Sequence, residues 1–167
     1  MKRIVTALSF AFCIMSAPAL AQAEPLPIEI VKPNHWNAET PSDNSELAAQ
    51  WSDPKTESRI EVYSVRIARD QHLNSLRQAF EEQLAKSNFN RTAAPEERTI
   101  PLVNATKRTG TWTEYEFVGA DIPISVVSFV FSASGTAIFV VGYFARPNRT
   151  EGLEAFEYAI SQMIEKS

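Results

Sequence analysis

Cysteine occurs once in the 167 residues, at Cys13, and histidine twice, at His35 and His72. Cys13 sits inside an apolar N-terminal run, so the rest of the chain has no thiol for a disulfide, a nucleophile or a thiolate metal site. Two histidines in separate elements give no repeated metal-ligand spacing. A serine triad would have to recruit one of them, with no Gly-x-Ser-x-Gly turn anywhere in the chain. The five glycines, Gly110, Gly119, Gly135, Gly142 and Gly152, stand apart from one another, which excludes a glycine-rich phosphate cradle. Lys and Arg number 16 against 20 Asp and Glu. That balance is poor for a nucleic-acid partner, which needs a basic stripe.

What is present begins at the N-terminus. Met1-Lys2-Arg3 is basic, Ile4 to Met15 is apolar, and small residues lead to Ala21-Gln22-Ala23. These are the three parts of a secretory signal, with cleavage expected near Ala23. Pro18 and Gln22 interrupt the run before the roughly 20 residues a membrane helix needs. Cleavage leaves 144 residues, enough for one domain with a proper core, and losing Lys2 and Arg3 moves the net charge from −4 to −6. The expected product is a periplasmic or secreted protein with no membrane span. Its parts are a signal at 1–23, an extended Pro-containing lead-in at 24–45 with one short strand at Ile28–Val31, and a single domain at 46–167.

The stretch from Ile122 to Phe144 dominates that domain. Two β-branched and aromatic runs flank Ser132-Ala133-Ser134-Gly135-Thr136, the pattern of a hairpin. Both runs are nearly continuous rather than alternating, which predicts a covering layer on each face. At about 1.5–3 kcal/mol per large apolar side chain, one wet face would forfeit on the order of 10 kcal/mol.

The remaining elements supply those layers. Leu47–Trp51 and Arg59–Ile67 predict a strand pair, with Leu47, Ala49 and Trp51 on one side and Ser52-Asp53-Pro54-Lys55 as its turn. Asp70 is placed to cap a helix over about Gln71–Lys86, on which Leu73, Leu76, Phe80 and Leu84 share a face. Residues 87–98 read as a loop, and Thr99–Val103 as a weak edge strand because of Pro101. Gly110–Val118 alternates strictly, with Thr113, Tyr115 and Phe117 on one face and Trp112, Glu114 and Glu116 on the other. Asn148 with Glu151 three positions on has the spacing of a capping box for a terminal helix carrying Leu153, Phe156, Ile160, Met163 and Ile164. The order predicts an α+β domain, a mainly antiparallel central sheet with helices on both faces.

Four short segments resemble the landmarks of PsbP-like domains. They are Pro33-Asn34-His35-Trp36; Trp51-Ser52-Asp53-Pro54 leading into Ile60-Glu61-Val62; Gly110-Thr111-Trp112-Thr113-Glu114-Tyr115-Glu116; and Gly135-Thr136-Ala137-Ile138-Phe139-Val140 before the last helix. That superfamily includes the PsbP subunit of photosystem II, DcrB-type and LpqN-type bacterial envelope proteins, and a Ran-binding nuclear import factor. The resemblance implies a central antiparallel sheet between helices and a non-enzymatic role of docking on a partner. No catalytic set carries over. Cystatin-like and NTF-like folds are the structural alternatives.

Few side chains offer themselves for chemistry. Glu114 and Glu116, about 7 Å apart on one strand face, have a spacing compatible with paired carboxylates in a hydrolase, although a solvated strand face explains them as well. Indoles concentrate at binding hot spots, and core packing is the competing role for each tryptophan here. Trp112 with Glu114 and Glu116, and His35 with Trp36, are therefore the partner-binding candidates. No catalytic residue, metal or cofactor is expected. The sequence thus predicts an exported binding or assembly module of the bacterial envelope with a protein partner. A carboxylate hydrolase, or an immunity-type inhibitor of a periplasmic toxin, is the alternative.

Overall fold

The computed structural model describes residues 26–40, 46–68, 72–117 and 123–166. The signal-like segment and Asp70 lie outside these residues. In chain order the described elements are β1 (Ile28–Glu29), β2 (Asn37–Glu39), β3 (Leu47–Asp53), β4 (Ser58–Arg66), α1 (Leu73–Lys86), β5 (Phe89–Arg91) and β6 (Glu96–Pro101). They continue with β7 (Lys107–Phe117), β8 (Ile124–Ala133), β9 (Thr136–Ala145), α2 (Arg149–Ser161) and β10 (Ile164–Glu165).

The apolar hairpin is β8–β9, closed by Ser134 and Gly135, both with positive φ (47° and 76°). Two left-handed residues in a two-residue loop match the twist of the flanking strands. One sheet of eight strands is built around it, in the order β2-β3-β4-β9-β8-β7-β5, with β6 also paired to β7 and every pairing antiparallel.

Side chains alternate across this sheet into two cores. Leu76, Phe80 and Leu84 of α1 pack with Tyr63, Tyr115, Val126, Val130, Phe139 and Val141 on one face. Phe156 and Ile160 of α2 pack with Ile60, Val62, Val127, Phe129, Phe131, Val140 and Phe144 on the other. Phe129 and Phe139 are fully enclosed. The sandwich inferred from the nearly continuous apolar runs is the observed architecture.

Several local expectations are corrected. The register of β3 against β4 shifts between Leu47 and Ala49, so Leu47 joins the α1 core while Trp51 joins the α2 core, instead of sharing one side. Asn148 precedes α2 but makes no capping bond; its Nδ2 donates instead to the carbonyl of Thr56 at 2.9 Å. The helix stops at Ser161, and Ile164 belongs to β10. Part of the expected loop 87–98 is strand, because Phe89 is buried in the α1 core and pairs with Phe117. Residues 26–40 are integral to the domain. Ile28 is core, β1 pairs with β10, and β2 extends the sheet beyond β3.

Candidate functional site

β7 holds Trp112, Glu114 and Glu116 on the face that α2 covers, as strand alternation requires. The indole of Trp112 is core: it is 2 % exposed and lies edge-on to Phe156 with ring centroids 5.5 Å apart. The guanidinium of Arg98 from β6 lies over its ring, 4.1 Å from the centroid, and pairs with Glu96. Trp112 Nε1 donates to Glu114 Oε1 at 3.1 Å, and Arg149 Nη2 donates to Glu114 Oε2 at 2.7 Å. Arg149 Nε donates in turn to Ser125 Oγ at 3.1 Å. Glu116, half-buried, faces the exposed Arg146 at 3.6 Å. The result is a mixed-charge strip running from β6 across β7 to the start of α2.

This geometry bears directly on carboxylate chemistry. Glu114 and Glu116 do share a face, but each oxygen of Glu114 already accepts a hydrogen bond from within the fold. Such a carboxylate is a tether between a strand and a helix, worth most where the pair is shielded from water.

His35 and Trp36 lie elsewhere. Trp36 immediately precedes β2 at one end of the sheet, five strand spacings from β7, or about 24 Å at 4.8 Å per strand. Trp36 packs with Ile28 and Trp51 in the α2 core and is 7 % exposed, while its carbonyl accepts from Lys32 Nζ at 2.5 Å. His35 is exposed at the tip of the preceding turn with φ 67°. The five residues singled out in the sequence thus fall into two separate groups.

A third group was not anticipated. On the α1 face, Arg59, Glu61 and Tyr63 of β4 meet Tyr143 of β9, and Gln50 of β3 donates to Glu39 of β2 beside them. Glu61 is buried, held by Arg59 Nη2 at 2.8 Å and by the Tyr63 hydroxyl at 2.5 Å. Burial raises the Glu61 carboxyl above its ordinary range, while Arg59 and the hydroxyls of Tyr63 and Tyr143 oppose that shift. Burial and the Glu61 charge likewise raise both tyrosines. Glu46, next to β3, is pushed up to about 7 by burial. Arg59, Glu61 and Tyr63 alternate with Ile60 and Val62, and that polar alternation was the available signal.

Among the described residues, no group of three or more His, Cys, Asp and Glu side chains is arranged to hold a metal ion. No described helix is long and apolar enough to cross a membrane.

Solved structures resemble this arrangement of sheet and helices. The chain is similar to the cyanobacterial PsbP protein CyanoP from Synechocystis sp. PCC 6803, with 14 % identity, a TM-score of 0.61, and coverage of 92 % of this chain and 99 % of that one. The fold is PsbP-like. The same PsbP-like arrangement is found in LpqN, described as involved in cell envelope biogenesis of Mycobacterium tuberculosis, with 12 % identity, TM-score 0.56, and 84 % and 83 % of the two chains covered. A Pseudomonas aeruginosa protein of unknown function matches at 6 % identity and TM-score 0.51, over 80 % of this chain and 99 % of its own. At the level of sequence, neither a family model nor a curated protein matches. The PsbP-like frame is therefore carried by the pattern of burial rather than by residue identity.

Proposed function

We propose that this chain is an exported, non-catalytic module of the bacterial envelope that docks on a protein partner. The observation that carries this reading is the use made of Glu114. Its Oε1 is occupied by Trp112 and its Oε2 by Arg149, so the best candidate for carboxylate chemistry is committed to joining β7 to α2. The PsbP-like fold, shared with the envelope-biogenesis protein LpqN, supports an envelope role. The basic, apolar and small-residue order of Met1 to Ala23 supports export. The mixed-charge strip of Arg98, Glu114, Glu116, Arg146 and Arg149, and the separate His35–Trp36 turn, are the surfaces offered for contact.

Affinity capture and crosslinking from the periplasmic fraction tests this reading. The expected result is one dominant protein partner. Recovery of none, together with hydrolysis of a small substrate that Glu114→Gln abolishes, overturns it in favour of a carboxylate hydrolase.

A further inference from the structure

Among the described residues two large apolar side chains remain exposed, Val103 at 60 % and Tyr158 at 39 %. They are brought to one surface. Val103 occupies the loop between β6 and β7, and its backbone N–H donates to the carbonyl of Ser161 at 2.9 Å, in the last turn of α2. Tyr158 lies one turn earlier on the same helix, and its carbonyl accepts from Ser161 Oγ at 2.7 Å.

The loop is internally braced. Leu102 N–H donates to Thr106, Ala105 N–H to Leu102, and Asn104 Oδ1 accepts from both the backbone and the hydroxyl of Thr106. Val103 is therefore presented on a fixed support, which lowers the ordering cost of a contact.

The outer face of α2 continues this surface. Glu151, Glu154 and Tyr158 follow one another at i, i+3 and i+7, a single stripe about 10 Å long, and Glu157 flanks it. All three glutamates are exposed, and from Glu151 to Ser161 the helix carries no Lys or Arg. The basic side chains nearest in sequence are Arg149, committed to Glu114, Arg146, which faces Glu116, Arg108, paired with Glu165, and Lys107 and Lys166.

We propose that the outer face of α2 with the Val103 loop is a docking surface for a basic protein segment: one that seats an apolar side chain against Val103 and Tyr158 and sets flanking Lys or Arg against Glu151, Glu154 and Glu157. Apolar anchors supply affinity where water is excluded, and the surrounding charges set orientation and partner choice. This rests on the docking reading above and assigns that partner its chemistry.

The test places a photo-crosslinking benzoylphenylalanine at Tyr158, Val103, Glu116 or His35, one at a time, in the full chain produced in its own cells. Adducts from positions 158 and 103, mapped by mass spectrometry to a heteromeric segment of net positive charge, are expected. The double variant Glu154→Lys/Glu157→Lys, which leaves the acidic first turn of the helix intact, should cut them about tenfold while thermal unfolding stays unchanged, as for exposed positions. Adducts only from Glu116 or His35 overturn this surface and leave the docking reading standing. Adducts to a second copy of this chain, or to a segment without basic residues, overturn the assigned chemistry. No adduct at any of the four positions overturns both.

Discussion

Arg149 Nη2 lies 2.7 Å from Glu114 Oε2, joining the first residue of α2 to the middle of β7 across 35 positions of sequence. Both side chains keep contact with solvent, so the pair is expected to contribute modestly. A double-mutant cycle with Arg149→Ala and Glu114→Ala should give a coupling of about 0.5–1 kcal/mol in urea unfolding. The coupling should shrink in about 1 M salt, where the Debye length falls to roughly 3 Å. A coupling of zero at low salt would mean that the tether does not form in solution.

Gly152 sets a tighter constraint on the same helix. A Cβ built there would lie 2.2 Å from Phe144 Cδ1, and one at Gly142 would lie 2.3 Å from Phe144 Cζ, so the ring is gripped between a helix and its own strand. Alanine ordinarily gains about 1 kcal/mol over glycine inside a helix. Here Gly152→Ala should instead destabilise by about 1–3 kcal/mol, because Phe144 is fully buried and overpacking forces a shift. An increase in unfolding midpoint would refute the close approach.

The two-sided core makes a paired forecast. Phe139 stacks against Phe80 of α1 with centroids 5.4 Å apart, and Phe129 packs on the other face beside Trp112 at 6.4 Å. Phe139→Ala and Phe129→Ala should each lower unfolding free energy by about 3–5 kcal/mol. A much smaller loss at Phe139 would mean that α1 does not cover its face.

Glu46 provides a pH signature. Its carboxyl is raised to about 7 from an ordinary 4.5, so between those values the folded state holds more proton than the unfolded chain. The stability it offers below pH 4.5 is therefore lost as the pH climbs through 7. Buried Glu61 is shifted in the same direction. Thermal unfolding followed from pH 5 to 8 should show a shallower decline in Glu46→Gln than in the parent protein. Identical slopes would contradict the shift.

Much of this architecture is legible in the sequence, and the reason is physical. Val126 to Phe131 and Ala137 to Phe144 are apolar but for Ser128 and Gly142 because both faces are covered, and Ser134-Gly135 tolerates the positive φ of a tight turn. Leu73, Leu76, Phe80 and Leu84 announce α1 through their spacing alone. What failed depended on partners far away in sequence. Leu47 looks in phase with Trp51 until a bulge reverses it, and a bulge leaves no periodic trace. Asn148 has the residue type and spacing of a cap, yet a carbonyl 92 positions away at Thr56 claims its amide. Core and contact compete as roles for Trp112 and Trp36, and only the rings packed around them reveal how little of each indole is left outside. Glu114 could be placed on its strand face but not matched to Arg149, since alternation fixes direction and says nothing of what arrives from another element.

The short pairing of β1 with β10 sets where the domain can be held. Ile28 aligns with Glu165, Glu29 with Ile164, and the N–H of Lys166 reaches the carbonyl of Pro27 at 2.9 Å, so the two ends of the described chain leave side by side. A tether attached before residue 26 would load this two-residue clasp first, peeling Ile28 out of its seat before any force reached the eight-stranded sheet. Mechanical pull from an anchored end would thus meet a fuse, and the rest of the molecule would yield only after the fuse had opened.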